Sequence, residues 1–319
     1  MMCGVPPASH LAHEAFLYGS VDEFVGAMAP LARAGIERGD KVFAAAKDSS
    51  AAALREELGD DAGRMELHDT AEWMTSPYDR LQAFRRMADG LAPGQALTAM
   101  GEPVWDGSAA VVRQWARYES VVNLALAYAP MEFVCLYDAS ALPDGILDYA
   151  VRTHPHRIDD GRAAPCAGFE PPAEFVLAAS AAAPGDARPI PLQGAALRAF
   201  VYSEAVRAGM APERAEELVL ATSEALSNAC IHGEPPLRAL LWTEDGEMVC
   251  RIADSGPGIA DPLAGWLPPA RRGRGGWGLP IARQLCDALE LARDENGTTV
   301  SLHMALAGEP VVRPAGPAA

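Results

Sequence analysis

The 319-residue sequence contains no uninterrupted apolar run of about eighteen residues, the length that a membrane-spanning helix requires. Its first segment, MMCGVPPASHLAHEAFLYG, lacks the basic stretch followed by an apolar stretch that marks a secretory signal. These two absences predict a cytoplasmic protein that does not act in a membrane.

Cysteine pairs at metal-binding spacing are also missing. No C-x-x-C pair occurs, and the spacing between the cysteines is irregular. The sequence therefore predicts neither a zinc site nor a disulfide framework, and buried or incidental thiols are the simpler interpretation. The six cysteines are Cys3, Cys135, Cys166, Cys230, Cys250 and Cys286.

Positive charge is scarce, since 26 Lys and Arg residues stand against 43 Asp and Glu residues and the formal net charge is −17. Binding to DNA or anionic lipid depends mainly on lysines and arginines that neutralise phosphates. We expect no direct nucleic-acid partner, and the lack of a helix-turn-helix pattern argues against a ligand-responsive transcriptional regulator. Partner proteins, and nucleotides that carry their own cations, suit this charge better.

The composition is that of a globular protein, with 50% hydrophobic and 22% charged residues, and the length suits two domains. From about residue 12 to 152, β-rich runs such as GDKVFAAA and MEFVCLYD alternate with helical patterns. This alternation predicts a mostly parallel sheet covered by helices on both faces. Around residues 155–190 the composition shifts to Pro, Ala and Gly, which indicates a linker and a domain boundary.

The second half of the chain follows a different order. Two helical patterns, the second from Pro212 to His232, precede a hairpin signal, a loop, a helical LPIARQLCDALEL and a final strand. Helices followed by a sheet with one inserted helix predict a two-layer α/β sandwich. We expect a first domain at 1–158, a linker at 159–189, a second domain at 190–306 and a disordered tail at 307–319.

Three polar or glycine-rich motifs interrupt the second domain: SEALSNACIHG on a helix, DSGPGI after a strand, and RGGWGL opening the last helix. Each motif alone is weak. Glu224 and Asn228 stand four residues apart on one helix face, and most such pairs are solvated or bonded to each other. DSGPG is most often a turn, and RRGRGG alone would suit a nucleic-acid-binding tract.

Together the motifs suit a nucleotide. Gly276 and Gly278 at a helix N-terminus let backbone N–H groups approach a phosphate, and Arg274 adds positive charge just before them. Asp254 ends a hydrophobic strand, where a carboxylate is costly unless it accepts good hydrogen bonds. The exocyclic amine of adenine would donate one.

The carboxamide and the carboxylate of SEALSNACIHG fit the metal end of such a site. The Asn228 oxygen suits Mg²⁺, which takes few protein ligands and fills its other positions with water and phosphate oxygens. Glu224, one turn earlier on the same face, would lie near the terminal phosphate as a base or as the group that positions a water. The residues therefore predict a phosphoryl-transfer site that uses ATP and Mg²⁺.

On these motifs, residues 190–306 resemble the ATP-binding domain of the GHKL superfamily, a Bergerat-type two-layer α/β sandwich. The helix motif is most similar to the S-E-A-x-x-N-A-x-x-H-G box of anti-sigma-factor serine kinases. The resemblance implies that Glu224 activates a substrate hydroxyl and that Asn228 coordinates Mg²⁺. The other residues implied in binding are Asp254 for adenine, Gly256 and Gly258 for close approach of the ligand, Gly276 and Gly278 for phosphates, Arg274 as a lid arginine, and Thr298 at the adenine end.

This resemblance implies an anti-sigma factor that captures a sigma factor and phosphorylates a serine or threonine of an antagonist protein, in a domain type that often dimerises. A nucleotide-dependent module that sequesters its partner without phosphotransfer stays open, because binding and transfer share most residues. Histidine kinase activity is not expected, since no helical hairpin with a phosphoacceptor histidine precedes residue 190.

Residues 10–155 resemble the MEDS sensory domain through HEAFLYGSVDEF, IERGDKVF, the segment 118–123, CLYD and RTHP. The resemblance implies a three-layer, RecA-like α/β fold with a sensory or protein-binding role. No G-x-x-x-x-G-K-[ST] loop occurs, so we expect no ATP hydrolysis in this half. His13, Glu14, Tyr118 and His154 are candidates for lining a ligand pocket, although each residue type more often packs or caps.

Overall fold

The computed structural model describes residues 11–73, 76–159, 161–269 and 276–306. The chain divides into two compact units, one made of residues up to Trp105 and of Trp115–Pro171, the other of Asp106–Gln114 and the chain from Pro172 onward. We call them the N-terminal unit and the C-terminal unit. Within the described residues, no helix combines the length and the apolar character that a bilayer-spanning segment needs.

The N-terminal unit alternates strands and helices along the chain. Its strands are β1 (Ala12–Tyr18), β2 (Lys41–Ala46), β3 (Glu66–Asp69), β4 (Leu97–Gly101), β5 (Met131–Asp138), β6 (His156–Asp159) and β7 (Arg162–Pro165). Its helices are α1 (Val21–Arg38), α2 (Asp48–Leu58), α3 (Thr70–Trp73), α4 (Pro77–Asp89), α5 (Ala109–Ala125), whose first six residues belong to the C-terminal unit, and α6 (Asp144–Thr153).

These strands form one seven-stranded sheet in the order β3-β2-β4-β5-β1-β6-β7. Every neighbouring pair is parallel except β6 with β7, which is antiparallel. Strand β7 lies within the segment that the sequence predicts as a linker, and it extends the sheet at its edge.

Helices cover both faces of the sheet. Successive side chains of a strand point to opposite faces, so each strand contributes to both layers of the core. On one face, Phe16 and Leu136 belong to a buried cluster with Met28 of α1. On the other face, Phe133 packs against Phe84 of α4, with ring centroids 4.5 Å apart. The strands of such a sheet are apolar on both sides, which is why β2 and β4 are almost continuous apolar runs.

The C-terminal unit places helices against a separate sheet. Its helices are α7 (Pro172–Val176), α8 (Gly194–Arg207), α9 (Pro212–His232) and α10 (Gly278–Leu285), and its strands are β8 (Arg188–Pro189), β9 (Arg238–Glu244), β10 (Glu247–Ala253), β11 (Ala288–Asp294) and β12 (Gly297–Ala305). The sheet is antiparallel in the order β11-β12-β10-β9-β8, and α9 packs on β10 and β12. The predicted fold class is confirmed, since one parallel and one separate antiparallel sheet occur in a mixed α/β chain.

Helix α9 matches its prediction at both ends. Pro212 occupies the first turn, where its missing N–H costs no hydrogen bond, and the helix stops at His232 before Gly233. The four residues predicted to pack inward are buried, and they are Leu218, Ala221, Ala225 and Leu226. Burial of this stripe holds α9 on the sheet and leaves the adjoining face for Glu224 and Asn228.

The last helix is shorter than the sequence predicts. The prediction of one helix through LPIARQLCDALEL is wrong beyond Leu285, because residues 288–294 form β11. Asp287 redirects the chain: its carboxylate accepts hydrogen bonds from Arg214 at 2.7 Å and from the backbone N–H of Ala305 at 2.8 Å. A short apolar run such as ALELA fits a helix or a strand equally well, so long-range partners decide the outcome.

Candidate functional site

Glu224 and Asn228 meet the start of α10 from one face of α9. A Cβ placed on Gly278 would lie 2.9 Å from Glu224 Oε2 and 3.0 Å from Asn228 Nδ2. Only glycine leaves room for both side chains at this helix N-terminus. The fold therefore brings the first and third sequence motifs into direct contact.

Asp254 comes directly after β10 and faces the end of α9. Its Oδ1 accepts a hydrogen bond from the Gly256 N–H at 2.9 Å, which orients the carboxylate. A Cβ on Gly233 would lie 2.4 Å from Asp254 Cγ, so the glycine that ends α9 creates the space for this side chain. The first and second motifs are thus packed together as well.

The loop after Asp254 is held against β12. The backbone N–H of Ile259 donates to Thr298 Oγ1 at 3.0 Å, and the N–H of Asp254 donates to the Thr298 carbonyl at 3.0 Å. Gly297 has φ of 130°, and a Cβ there would lie 2.1 Å from the Asp254 carbonyl oxygen. Close backbone approach between β10 and β12 therefore sets the position of Asp254 and Thr298.

A cavity of about 620 Å³ opens between α9, the end of the sheet and the segment before α10. This volume is in the range of small-molecule sites. Five of the predicted site residues line it, and they are Asn228, Asp254, Gly258, Gly276 and Thr298. Their carboxylate, amide, hydroxyl and backbone groups give the cavity polar contacts around an apolar interior.

The other predicted residues stand differently. Gly278 is buried against Glu224, and Gly256 lies against Asp254; neither glycine lines the cavity, and neither does Glu224. Arg274, the predicted lid arginine, lies outside the described residues, as do the other two arginines of the RRGRGG tract.

The sequence reasoning missed the apolar floor of the cavity. Ile252 of β10, Val300 of β12 and Leu291 of β11 lie level with each other across three neighbouring strands, and all three line the cavity. Such a surface can hold the flat face of a purine base. Apolar and polar residues alternate within each strand, and this alternation could have indicated the floor. It shows which residues lie side by side only when the antiparallel register of the strands is known.

The donor set near Asn228 fits a hard divalent cation. The Asn228 amide and the Glu224 carboxylate lie one helical turn apart on α9. The backbone of Gly278 lies close to both side chains. Mg²⁺ needs few protein ligands when phosphate oxygens and water complete its shell. Asn228 is the residue that would hold it.

In the N-terminal unit, the four predicted pocket residues separate into two groups. His13 and Glu14 line a cleft of about 410 Å³ together with Asn123 and Pro155. Tyr118 and His154 are fully buried and do not line that cleft. Burial and the neighbouring charge of Glu132 raise the pKa of Glu14 above its ordinary value.

Comparison with known proteins agrees with the two units. Residues 12–155 match the family model for MEDS, the methanogen/methylotroph, DcmR sensory domain, and residues 188–304 match the model for the histidine kinase-like ATPase domain. No curated protein matches the chain. Among solved structures, the NMR structure of the histidine kinase domain of the E. coli osmosensor EnvZ matches with 21% identity, over 44% of this chain and 98% of that one, at a TM-score of 0.24. The two family models thus assign a MEDS domain to residues 12–155 and a GHKL-like ATPase domain to residues 188–304.

Proposed function

We propose that the C-terminal unit binds ATP with Mg²⁺ and transfers a phosphoryl group to a serine or threonine of an antagonist protein, thereby acting in the cytoplasm as an anti-sigma factor. One observation supports this proposal most strongly. Glu224 and Asn228 lie together against the backbone of Gly278, beside a cavity that Asp254 also lines. The residues that we propose as base, metal ligand and adenine-recognising carboxylate thus lie near one another.

The adenine end of the site would be formed by Asp254, Thr298 and the apolar floor. Asp254 Oδ1 already accepts from Gly256, so Oδ2 would accept the hydrogen bond from the exocyclic amine. Thr298 Oγ1 accepts from Ile259, which leaves its hydroxyl proton for a ring nitrogen. Ile252 and Val300 would pack on the face of the base.

At the phosphate end, Mg²⁺ would supply the positive charge that neutralises the phosphate oxygens. Asn228 would hold that ion. Glu224 would accept the proton of the substrate hydroxyl. The hydroxyl oxygen would then bond to the terminal phosphorus of ATP, and ADP would leave. Gly276, which lines the cavity before α10, would let backbone N–H groups approach the phosphates.

A second candidate is a nucleotide-dependent module that sequesters its partner without phosphotransfer. It is supported by the lining of the cavity, which includes Asn228 and Asp254 but not Glu224. In either case the proposed partners are a sigma factor and an antagonist, and the proposed assembly is a homodimer.

In the test, the full chain is used to pull down partner proteins from an extract of the cells that produce it. The bound proteins are then incubated with the chain, γ-labelled ATP and Mg²⁺. We expect acid-stable label on a retained protein, and Glu224→Gln should slow its transfer by roughly 10²–10⁴-fold. Label that acid removes would indicate phosphohistidine and contradict the Ser/Thr assignment. Wild-type transfer by Glu224→Gln would refute the proposed base, and ATP-dependent retention without any transfer would favour the second candidate.

A further inference from the structure

Four buried side chains from four parts of the N-terminal unit converge on one point. His13 lies on β1, Glu119 on α5, Cys135 on β5, and His154 directly after α6. All four are buried, and one ligand atom from each lies within 4.8 Å of the others. We call them the four-residue cluster.

Four of the six distances within the cluster match a coordination shell. Glu119 Oε2 lies 3.2 Å from Cys135 Sγ, 3.5 Å from His13 Nε2 and 3.7 Å from His154 Nε2, and Cys135 Sγ lies 3.4 Å from His13 Nε2. Bonds of roughly 2.0–2.3 Å around a tetrahedral zinc place neighbouring ligand atoms roughly 3.3–3.8 Å apart. All four ligand atoms lie within 4.8 Å of one another, so small side-chain movements would bring them into one coordination shell.

The outer nitrogens of both histidines are already engaged. His13 Nδ1 lies 3.0 Å from Asn123 Oδ1, and the Asn123 amide donates to the Thr153 carbonyl at 2.8 Å, which fixes its orientation. His154 Nδ1 lies 2.9 Å from the Ala150 carbonyl, an acceptor, so this nitrogen carries the proton. Metal-ligating histidines characteristically donate their second N–H in this way, which leaves Nε2 as the ligand.

Two polar atoms inside the cluster lack a hydrogen-bond partner in the described part of the chain. Among the described residues, Glu119 Oε1 and His154 Nε2 have no hydrogen-bond partner although both are buried. His154 donates from Nδ1 to the Ala150 carbonyl, so its Nε2 lone pair faces the Glu119 carboxylate, whose Oε2 lies 3.7 Å away. Two acceptors that face each other in the interior are costly unless a cation lies between them.

We propose that the four-residue cluster is a binding site for a divalent transition-metal ion, with Zn²⁺ as the best match. Two imidazoles, a thiolate and a carboxylate form a borderline-soft ligand set that suits zinc more than Mg²⁺ or Ca²⁺. Glutamate and thiolate would bring two negative charges to the ion, in a buried region where the charge of Arg80 also acts on both groups. The thiol proton, now directed at Glu119, leaves when the metal–sulfur bond forms.

The cleft that His13 and Asn123 line borders the cluster on the side of His13. The C-x-x-C rule did not find this site, because its single cysteine and its histidines stand on separate elements. Asn123 has a supporting role, since it orients His13 without touching the metal.

The test strips the full-length protein with a chelator and titrates it with Co²⁺, whose bonds to thiolate absorb in the near ultraviolet. We expect one equivalent to bind with this absorption, and Cys135→Ser should abolish it. Cys230→Ser is the matched control, because Cys230 is an exposed thiol that could bind metal adventitiously, and it should keep the absorption.

Competition with Zn²⁺ provides a second measurement that does not depend on the folding of Cys135→Ser. Glu119→Gln should weaken Zn²⁺ binding by at least about 100-fold, and Asn123→Ala by roughly 10–100-fold. Absorption that survives in Cys135→Ser and disappears in Cys230→Ser would overturn the proposal. Failure of the folded wild-type chain to take up one Zn²⁺ would do the same, and would leave the cluster as a hydrogen-bonded network.

Discussion

The C-terminal cavity and the four-residue cluster of the N-terminal unit are assembled in opposite ways. The cavity is built from contiguous motifs in which glycines bring backbones together, as Gly278 does for Glu224 and Asn228. The cluster is built from single side chains on separate elements, enclosed by a sheet that helices cover on both faces. A site made by backbone approach leaves a local pattern in the sequence, whereas a site made by tertiary packing does not.

The largest effect is expected where a side chain is introduced at a close contact between two backbone segments of the C-terminal unit. Gly297→Ala forces a side chain into φ of 130° and places Cβ 2.1 Å from the Asp254 carbonyl oxygen. Strain and overpacking together should lower the free energy of unfolding by about 4 kcal/mol. Denaturant unfolding measures the effect.

Gly246→Ala is the matched control for this substitution. Gly246 also has a positive φ, 79°, but nothing would lie within 4 Å of its Cβ. Its cost should be about 1 kcal/mol, from conformation alone. Equal losses in the two variants would contradict the role given to close backbone approach.

A smaller effect is expected where side chains hold the C-terminal unit. Arg214 donates to the Asp287 carboxylate at 2.7 Å and to the Leu285 carbonyl at 3.0 Å, at the point where α10 gives way to β11. Arg214→Met should cost about 3 kcal/mol, because Asp287 stays largely buried and loses its cation. A double-mutant cycle with Asp287→Asn should then show strong coupling, and additive losses would contradict the pairing.

Replacing an asparagine with alanine in each unit should have different effects on stability. Asn123→Ala removes the amide that joins His13 to the Thr153 carbonyl and should cost about 2 kcal/mol. Asn228→Ala should change the free energy of unfolding by less than about 0.5 kcal/mol, since we assign that amide to a ligand. Urea titrations of the two variants measure both free energies of unfolding. A larger decrease for Asn228→Ala than for Asn123→Ala would reverse the assignment of roles.

The smallest effect concerns pH. The hydrogen bond from Arg207, opposed by burial and aided by the charge of Arg188, holds the pKa of Glu204 below its ordinary value. The ionised Glu204 therefore stabilises the fold. This stabilisation is fully present above the unfolded pKa of 4.5 and is lost as the pH falls through the lowered pKa of the folded state. Because both arginines are exposed to solvent, the difference between wild type and Glu204→Gln should be under about 1 kcal/mol at pH 7 and should vanish in acid. A difference that grows in acid would contradict this sign.

The comparison also explains how much the sequence could predict. Hydrophobic spacing, Pro212 and Gly233 indicated the bounds of α9, and the three ordered motifs predicted Asn228 and Asp254 as site residues. The end of α10 escaped prediction because Arg214 and Ala305, both distant in sequence, hold Asp287 there. The apolar floor formed by Ile252, Leu291 and Val300 escaped because it depends on strand register.

The four-residue cluster escaped for a related reason. His13 and His154 were recognised only as pocket candidates, and Cys135 as an incidental thiol. Nothing local to either histidine shows that Glu119 and Cys135 lie beside it. Their meeting depends on β1 pairing with β5 in parallel, which places Ala15 opposite Cys135.

The most direct test of the central claim is calorimetric titration of the full chain with ATP in the presence of Mg²⁺. We predict saturable binding of one nucleotide by the wild type, and loss of that binding in a folded Asn228→Ala variant. Absence of binding by the wild type, or an affinity for Mg-ATP that Asn228→Ala leaves unchanged, would contradict the assignment of the C-terminal cavity as a nucleotide site.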